Sequence, residues 1–591
     1  MTRIGERRTH DVCIRIGGQA GFGIKAAGQS LARTFAREGL CTFDLTEYPS
    51  LIRGGHNIIT VRVSPDVVHS HAVDVDLLVA LDQKTADIDM PSLVEGGAVI
   101  YDPAAVSPDG WPDSVRRVPV PLDKFALDAG GSKIMRNTVA LAAVLALLDF
   151  PLEPFANSLR AQFAHKSAEV AEQNVRAAQL GYDEAAKHAG DFPLRLAPVP
   201  DAPQRMLVDG NDAVGLGALA AGIGFYGAYP MTPASSLLHF MAAHEAEGVV
   251  VKHTEDEIAA MNMVVGAAFG GARAMCATSG GGFCLMVEGF GLAGVSESAV
   301  VVGVFSRPGP ATGLPTWTEQ GDLQFVIHAA QGEFPRVVLA PGDREDAFRL
   351  TWQAFNLADR LQTPVVLLGD TYLSDNRQTI LPYDTEEVEI DRGKLITSGE
   401  VKDYLRYKVT PDGVSPRAVP GVKGAEQVVN SYEHDEYGYG QEGERASVRV
   451  AQNEKRMRKM DLAKSLVPEP VLFGPRTADV SVLSFGSCKG PIRDAMDELD
   501  AEGVSVNFLQ VVTCWPFPTG AVEEFLRRAK RSVVVEGNFT GQFEQLIRQE
   551  CLMAPDARLH RYDGRPFDYR QVAERIREVA REVPATEEVV R

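Results

Sequence analysis

Short β-branched runs that alternate with helical stretches, joined by glycine- or proline-rich loops, constrain this chain more than anything else in it. Residues 11–17 form one such run. Gly18-Gln19-Ala20-Gly21-Phe22-Gly23 follows, then a helix to about Glu38 and a second strand at 41–45. Strands at 58–63, 76–81 and 97–101 and helices at 139–150 and 156–177 continue the pattern. It returns at 299–305, 344–358 and 364–368. It returns again at 479–484, 491–502, 504–510, a turn at 513–518, a helix at 521–529 and a last clear strand at 532–536. Strand–helix alternation of this kind is satisfied by helices covering mainly parallel sheets. The expected fold class is therefore α/β, with several parallel-sheet domains.

Length divides that pattern. At 591 residues the chain holds three or four domains. The expected division is an α/β domain over 1–192, a proline-rich linker over 193–205 and a second α/β domain over 206–375. An irregular, charged connecting region over 376–470 and a closing α/β domain over 471–591 complete it, with a frayed tail at Glu587-Glu588. The seven cysteines contain no Cys-x-x-Cys pair, which argues against a zinc ribbon or a cysteine-ligated cluster on this chain. Scattered thiols behind an amino terminus without an apolar leader suit a reducing cytoplasm. The longest apolar run, 139–148, is too short to span a bilayer. A net charge of −20 without a long basic tract argues against nucleic acid as partner, and leaves room for a local basic pocket that takes an anion.

The candidate chemistry gathers at Tyr229-Pro230-Met231-Thr232-Pro233. Two prolines stiffen this turn and hold Thr232 on a non-helical backbone. The bland alternative is a loop entering a helix, with Thr232 or Ser235 as cap. Thr254-x-x-Glu257 then reads as a capping box, which by itself explains the glutamate. The helix it opens is small-sided, and Ala277-Thr278-Ser279-Gly280-Gly281-Gly282-Phe283 can bring backbone N–H groups close to a ligand. Further on stand Ser306-Arg307-Pro308-Gly309-Pro310-Ala311-Thr312-Gly313 and Glu319-Gln320-Gly321-Asp322-Leu323. Near the amino terminus, Gly21-x-Gly23-x-x-Ala26 with Asp44 matches a relaxed dinucleotide pattern. Glu433-His434-Asp435-Glu436 could ligate a metal, but adjacent residues rarely converge on one ion, and a solvated loop is the expectation there. Residues 455–464 read as a charged helix face.

In that order and spacing, the motifs from Tyr229 to Asp322 resemble the α subunit of the 2-oxoacid:ferredoxin oxidoreductases. Gly17-Gly18-Gln19-Ala20-Gly21-Phe22-Gly23 with Arg53-Gly54-Gly55-His56 resembles the γ subunit of the same family, here fused ahead of α. The resemblance covers nearly the whole chain. It implies a pyrimidine-binding domain of the thiamine-enzyme type and a closing domain like the transketolase carboxyl-terminal domain. It implies thiamine diphosphate as cofactor, shared with a β subunit, and coenzyme A as co-substrate. Tyr229, Pro230, Glu257, Ser279 and Gly280 are then expected at the cofactor, Thr232 and Arg307 at the substrate carboxylate, and Arg53, Gly54 and His56 near coenzyme A.

The chemistry fits those residue types. Decarboxylating a 2-oxoacid leaves an acyl carbanion that needs an electron sink. In the family a glutamate bonds the aminopyrimidine ring of that cofactor, and Glu257 matches its motif position. An arginine binds a carboxylate through two parallel hydrogen bonds. The sequence contains no Gly-Asp-Gly followed by a distant Asn, so Mg2+, the diphosphate site and the [4Fe-4S] cluster are expected on the β subunit. No metal is expected on this chain itself. The implied assembly is an (αβ)2 heterotetramer reducing ferredoxin, inactive without β. The expected substrate is 2-oxoglutarate, with pyruvate and branched-chain 2-oxoacids as alternatives. The rival from another class is a dinucleotide-binding regulatory or scaffold protein built on Gly21, Gly23, Ala26 and Asp44.

Overall fold

The computed structural model describes residues 10–51, 54–164 and 166–581. Contacts divide the chain into two units, one running to Val208 and including Asn376–Pro382, the other made of Asp209–Asp375 and the chain from Tyr383 onward. Arg53 and the closing Glu587-Glu588 lie outside the described residues.

The first unit is built on β1 (Val12–Ala20), β2 (Cys41–Glu47), β3 (Gly54–Ser64), β4 (Val75–Ala80), β5 (Leu93–Tyr101), β6 (Arg116–Pro119) and β7 (Met206–Val208). Their spatial order is β6-β5-β4-β1-β3-β2, then Gln378–Ile380, then β7. β1, β4, β5 and β6 run parallel, as the alternation predicts. β3 lies between β1 and β2 and is antiparallel to both. The strands at 11–17 and 41–45 are therefore not a paired parallel unit. The reason is the short loop after β2, which leaves no room for a crossover helix and forces a hairpin return.

The helix Arg136–Leu147 is buried at every position from Thr138 to Leu147. A helix apolar on all sides belongs in a core, and this one has a sheet on one side and the helix Ala168–Ala189 on the other. A β-carbon at Gly181 would collide with the Val139 carbonyl, so glycine sets how closely those two helices approach. The expected helix at 156–177 is two, Glu153–Phe163 and Ala168–Ala189, and the second starts at Ser167, whose side chain caps Val170. The proline-rich stretch is no free linker. Phe192, Leu194 and Leu196 are buried in the first core, and Leu196 N–H donates to Leu148 O.

The second unit carries β8 (Phe225–Ala228), β9 (Val250–His253), β10 (Ala274–Thr278), β11 (Val300–Ser306), β12 (Val337–Leu339) and β13 (Val365–Asp370). They form a parallel sheet ordered β12-β13-β11-β10-β8-β9, closed at one edge by Thr513–Trp515 running antiparallel to β12. Residues 513–515 are thus an edge strand, not part of a turn. A five-stranded sheet follows in the order Val471–Phe473, Val506–Gln510, Val480–Ser484, Ser532–Glu536 and Ala557–His560. One apolar core joins both sheets, with Val302, Val338, Leu483 and Phe543 among its members. Ala557–His560 is a strand beyond the one expected to be last. Its four residues are exposed or half-buried and alternate weakly, which hides it from a hydrophobic pattern.

No described helix is long and apolar enough to cross a membrane.

Candidate active site

β9, β8, β10 and β11 are consecutive in the sheet, and all four end at the same edge. Each hands one expected motif to that edge. β8 leads into Tyr229–Pro233, β9 into Thr254–Glu257, β10 into Thr278–Gly282 and β11 into Arg307. The carboxyl ends of parallel strands, where loops converge and helix amino termini point outward, are where open α/β sheets bind ligands.

The turn after β8 is held from below. Asn211 Nδ2 donates to the Pro233 carbonyl at 2.8 Å and to Ser236 Oγ at 2.6 Å. Arg307 donates from its terminal nitrogen to the Thr232 backbone carbonyl at 2.8 Å. The two residues expected at the substrate carboxylate are therefore brought together, through the Thr232 backbone, which leaves the threonine hydroxyl outside that bond. Burial draws the Arg307 guanidinium below its ordinary value. It keeps its charge, since an arginine has far to fall before it deprotonates. Tyr229 sits at the rim, 38% exposed, its ring 6.4 Å from that of His253.

Glu257 differs from its expected capping role. The cap of the helix Glu257–Phe269 is Asp256, whose carboxylate accepts the Ala259 N–H at 2.8 Å. Thr254 Oγ1 donates instead to the Asp256 carbonyl. With the helix start already satisfied, Glu257 becomes its first residue and points inward. It is 2% exposed, and its Oε1 is buried with no hydrogen-bond partner among the described residues. Thr278 Oγ1 and Ser279 Oγ are buried and unpartnered among the described residues as well. Three orphaned polar atoms in one place are costly, because each has lost its water without a replacement. Such a group is expected where a ligand supplies the missing bonds.

The glycine run fits around them. A β-carbon at Gly282 would collide with Thr278 Oγ1 and stand 2.6 Å from Glu257 Oε1. A β-carbon at Gly280 would stand 2.5 Å from Asp322 Oδ1. Ser279 occupies the cap position of the helix Gly280–Val295 with no side-chain cap bond. Asp322 accepts from Ser306 Oγ at 2.7 Å, and burial raises its carboxyl above the ordinary value. Glu319 is raised too, by burial and by the neighbouring Asp322. Glu319 and Asp322 were visible only as part of a motif, and nothing in their sequence context marks Asp322 as facing the glycine helix. Gln320 anchors the same loop, accepting the Gly537 N–H at 2.8 Å and donating to the Phe485 carbonyl at 3.1 Å.

In the first unit, the β1–β3 pairing sets Gln19 opposite His56 and Ala20 opposite Gly54. The glycine loop and Gly54–His56 thus meet at one end of the sheet. His56 Nε2 contacts Asp89 Oδ2 at 2.8 Å, and Arg15 reaches the same carboxylate at 3.2 Å. The dinucleotide reading fails here. It needs β1 and β2 side by side, and β3 separates them. Asp44, its expected ribose contact, is fully buried and accepts the Arg377 N–H at 2.7 Å.

The connecting region carries its own corrections. Lys455 and Lys459 are fully buried rather than on a charged helix face, because both reach the buried carboxylate of Glu297 at 2.6 Å. Glu433 pairs with Arg456 at 2.7 Å, His434 lies against the Tyr407 ring, and Asp435 and Glu436 accept backbone N–H groups. The four side chains are committed separately and do not converge.

Three family models cover most of the chain. The thiamine-diphosphate-binding domain of pyruvate flavodoxin/ferredoxin oxidoreductases matches residues 216–455. The pyruvate ferredoxin/flavodoxin oxidoreductase family matches 13–184, and core domain II of pyruvate:ferredoxin oxidoreductase matches 478–579. The α subunit of 2-oxoacid:ferredoxin oxidoreductase 2 from Aeropyrum pernix is 35% identical over 96% of this chain and 98% of its own length. The 2-oxoglutarate synthase subunit KorA of Archaeoglobus fulgidus is 34% identical over 58% of this chain and 91% of its own. The structure of 2-oxoglutarate:ferredoxin oxidoreductase from Magnetococcus marinus, with 2-oxoglutarate, coenzyme A and succinyl-CoA bound, aligns over 97% of this chain and 100% of that one, with a TM-score of 0.90 and 32% identity.

Proposed function

The chain belongs to the thiamine-diphosphate-dependent 2-oxoacid:ferredoxin oxidoreductases as an α subunit, and from that premise we propose that it oxidatively decarboxylates 2-oxoglutarate with coenzyme A to succinyl-CoA, CO2 and reduced ferredoxin. The amino-terminal unit is read as the γ-type part of the enzyme. The observation that carries the site assignment is the buried, unpartnered Oε1 of Glu257 beside the Gly282 backbone.

Thiamine diphosphate, when bound, supplies the electron sink for the carbanion that decarboxylation leaves. Glu257 holds a proton at a ring nitrogen of that cofactor, with Thr278 and Ser279 offering hydroxyls from the same floor. Gly280 and Gly282 let the backbone come close. Arg307 orients the carboxylate of the 2-oxoacid, its guanidinium steadied by the Thr232 carbonyl, and the Thr232 hydroxyl is left for the substrate. Tyr229 and Pro230 form the rim. In the γ-type unit, Gly54 and His56 are read as coenzyme A contacts, and Arg53, outside the described residues, is proposed with them from the motif alone.

The site is half of an interface in this reading. Exposed apolar side chains stand on the elements that carry it: Tyr229 on the turn after β8, Ile258 and Met263 on the helix Glu257–Phe269, Leu285 on the helix Gly280–Val295 and Leu314 in the loop after β11. Clustered exposed apolar groups mark partner surfaces. A β subunit carrying Mg2+, the diphosphate site and the [4Fe-4S] cluster would cover them in a cytoplasmic (αβ)2 heterotetramer.

The choice of 2-oxoglutarate rests on the Archaeoglobus and Magnetococcus relatives. The test is ferredoxin reduction by the complex with its β partner, on 2-oxoglutarate, pyruvate and a branched-chain 2-oxoacid in turn. A kcat/KM at least tenfold higher for 2-oxoglutarate supports the assignment. Equal rates, or a preference for pyruvate, would replace it with a broader or different acid.

A further inference from the structure

The first unit contains a cavity of about 650 Å3 that none of the chemistry above uses. Its floor is the last turn of the helix Ile24–Arg37, and its wall is the proline turn 198–203 with Leu207. Three guanidinium groups line it, from Arg33, Arg37 and Arg205. On a chain with a net charge of −20, that concentration of positive charge is local and specific.

The arginines are not explained by the protein around them. Arg33 and Arg37 stand four residues apart on one helix face, a spacing at which like charges repel. Arg37 complements the negative end of its helix, and its terminal nitrogen donates to Ser158 Oγ at 3.2 Å. Arg33 has no hydrogen bond or ion pair among the described residues. Burial and the nearby charges of Arg377 and Arg37 draw its guanidinium below the ordinary value. Arg205 carries a buried Nε with no acceptor among the described residues. Two carboxylates also line the cavity, Glu38 and Asp201, and neither lies within ion-pair distance of these arginines among the described residues.

The walls are fixed rather than loose. Val199 N–H donates to the Glu38 carbonyl at 2.8 Å. Gly39, at φ +86°, lets the proline turn close down, since a β-carbon there would stand 2.5 Å from that of Ala202. An arginine fork matches phosphate oxygens in pairs, and three of them around one hollow match a ligand with more than one phosphate charge.

We propose that this cavity binds a diphosphate group, either free or as the tail of a nucleotide whose body lies against the proline wall. The site is separate from the thiamine diphosphate and coenzyme A readings above and does not depend on them.

The test is calorimetric titration of the whole complex with its β partner, held at constant ionic strength and saturated with thiamine diphosphate and coenzyme A so that their sites are filled. Inorganic pyrophosphate and ADP are titrated separately. Saturable binding of pyrophosphate is expected, weakened at least tenfold in the double variant Arg33→Gln, Arg205→Gln, while ferredoxin reduction without the ligand stays unchanged. Tighter binding of ADP than of pyrophosphate assigns the nucleotide, and equal or weaker binding assigns the free anion. If the double variant fails to fold, the exposed Arg37→Gln takes its place with a threefold or greater loss expected. No saturable binding, or binding that the arginine variants leave within twofold, overturns the proposal.

Discussion

Glu257 decides the account at the level of single residues. The sequence offers it a place in a capping box, and the structure takes that place away by giving the cap to Asp256. A glutamate that caps a helix loses stability when replaced. A glutamate kept for a ligand loses activity. Glu257→Gln is therefore expected to melt like the wild type and to lose about 10²–10⁴ in turnover, the usual contribution of one positioned acid or base. Arg307 and Thr232 separate in the same way. Arg307→Lys keeps the charge but loses the planar fork, so the KM for the 2-oxoacid should rise about tenfold, roughly 1.4 kcal/mol. Thr232→Val keeps the carbonyl that Arg307 grips, so its melting temperature should hold while the KM rises. Steady-state kinetics with parallel thermal melts checks all three. The motif residues were legible because turn chemistry writes them in proline and glycine. The competition between Asp256 and Glu257 was not, since both are acidic residues at a helix start and only the side-chain directions tell them apart.

Elements were read well where their period was clean and poorly where burial came from far away. The helix Gly280–Val295 is made for close approach. Gly282→Ala should push Thr278 and Glu257 apart and cut the thiamine diphosphate retained on purification by at least tenfold, at an overpacking cost of about 1–3 kcal/mol. The helix Ala446–Lys464 looked solvated because it is rich in lysine and arginine. Its inner face, with Lys455, Arg456 and Lys459, is in fact a buried charge cluster. Lys455 and Lys459 share Glu297, while Arg406 donates to the Glu297 and Ser296 carbonyls at 2.8 and 3.1 Å. No local pattern could show a partner more than 150 residues away. Glu297→Gln leaves two buried ammonium groups uncompensated and should cost about 3–5 kcal/mol in denaturant unfolding.

The pH dependence of that cluster has a defined sign. Burial strips water from the Glu297 carboxylate, but the two ammonium groups outweigh that and hold it well below its usual range. Its stabilisation is present above the unfolded value of 4.5 and is lost as acid is added. One ammonium is surplus, and burial brings Lys459 down to about 7 and Lys455 to about 8, below the ordinary 10.5. A folded value below the unfolded one means the unfolded chain binds more protons, so stability should rise with pH from about 7 towards 10.5. Lys459→Met, which removes the surplus charge, should flatten that rise in denaturant titrations between pH 7 and 9.

For the whole molecule, the alternation of strands and helices predicted an α/β protein, and the three larger sheets among the described residues bear it out. What the alternation could not supply was strand order. The antiparallel β3 and the edge strand Thr513–Trp515 are set by pairings across the fold, and the second joins β12 from more than 170 residues away. The candidate site could be proposed from motifs because four neighbouring strands end at one edge and a motif follows each of them. The central claim is that Glu257 serves the cofactor in a site completed by a second subunit. The measurement that tests it most directly is 2-oxoacid- and coenzyme A-dependent ferredoxin reduction by the chain alone, by its complex with the β partner, and by that complex carrying Glu257→Gln. The account predicts no turnover from the chain alone, turnover from the complex, and at least a hundredfold loss in a variant that assembles and melts normally. Turnover by the isolated chain, or a variant that stays active but melts early, would contradict it.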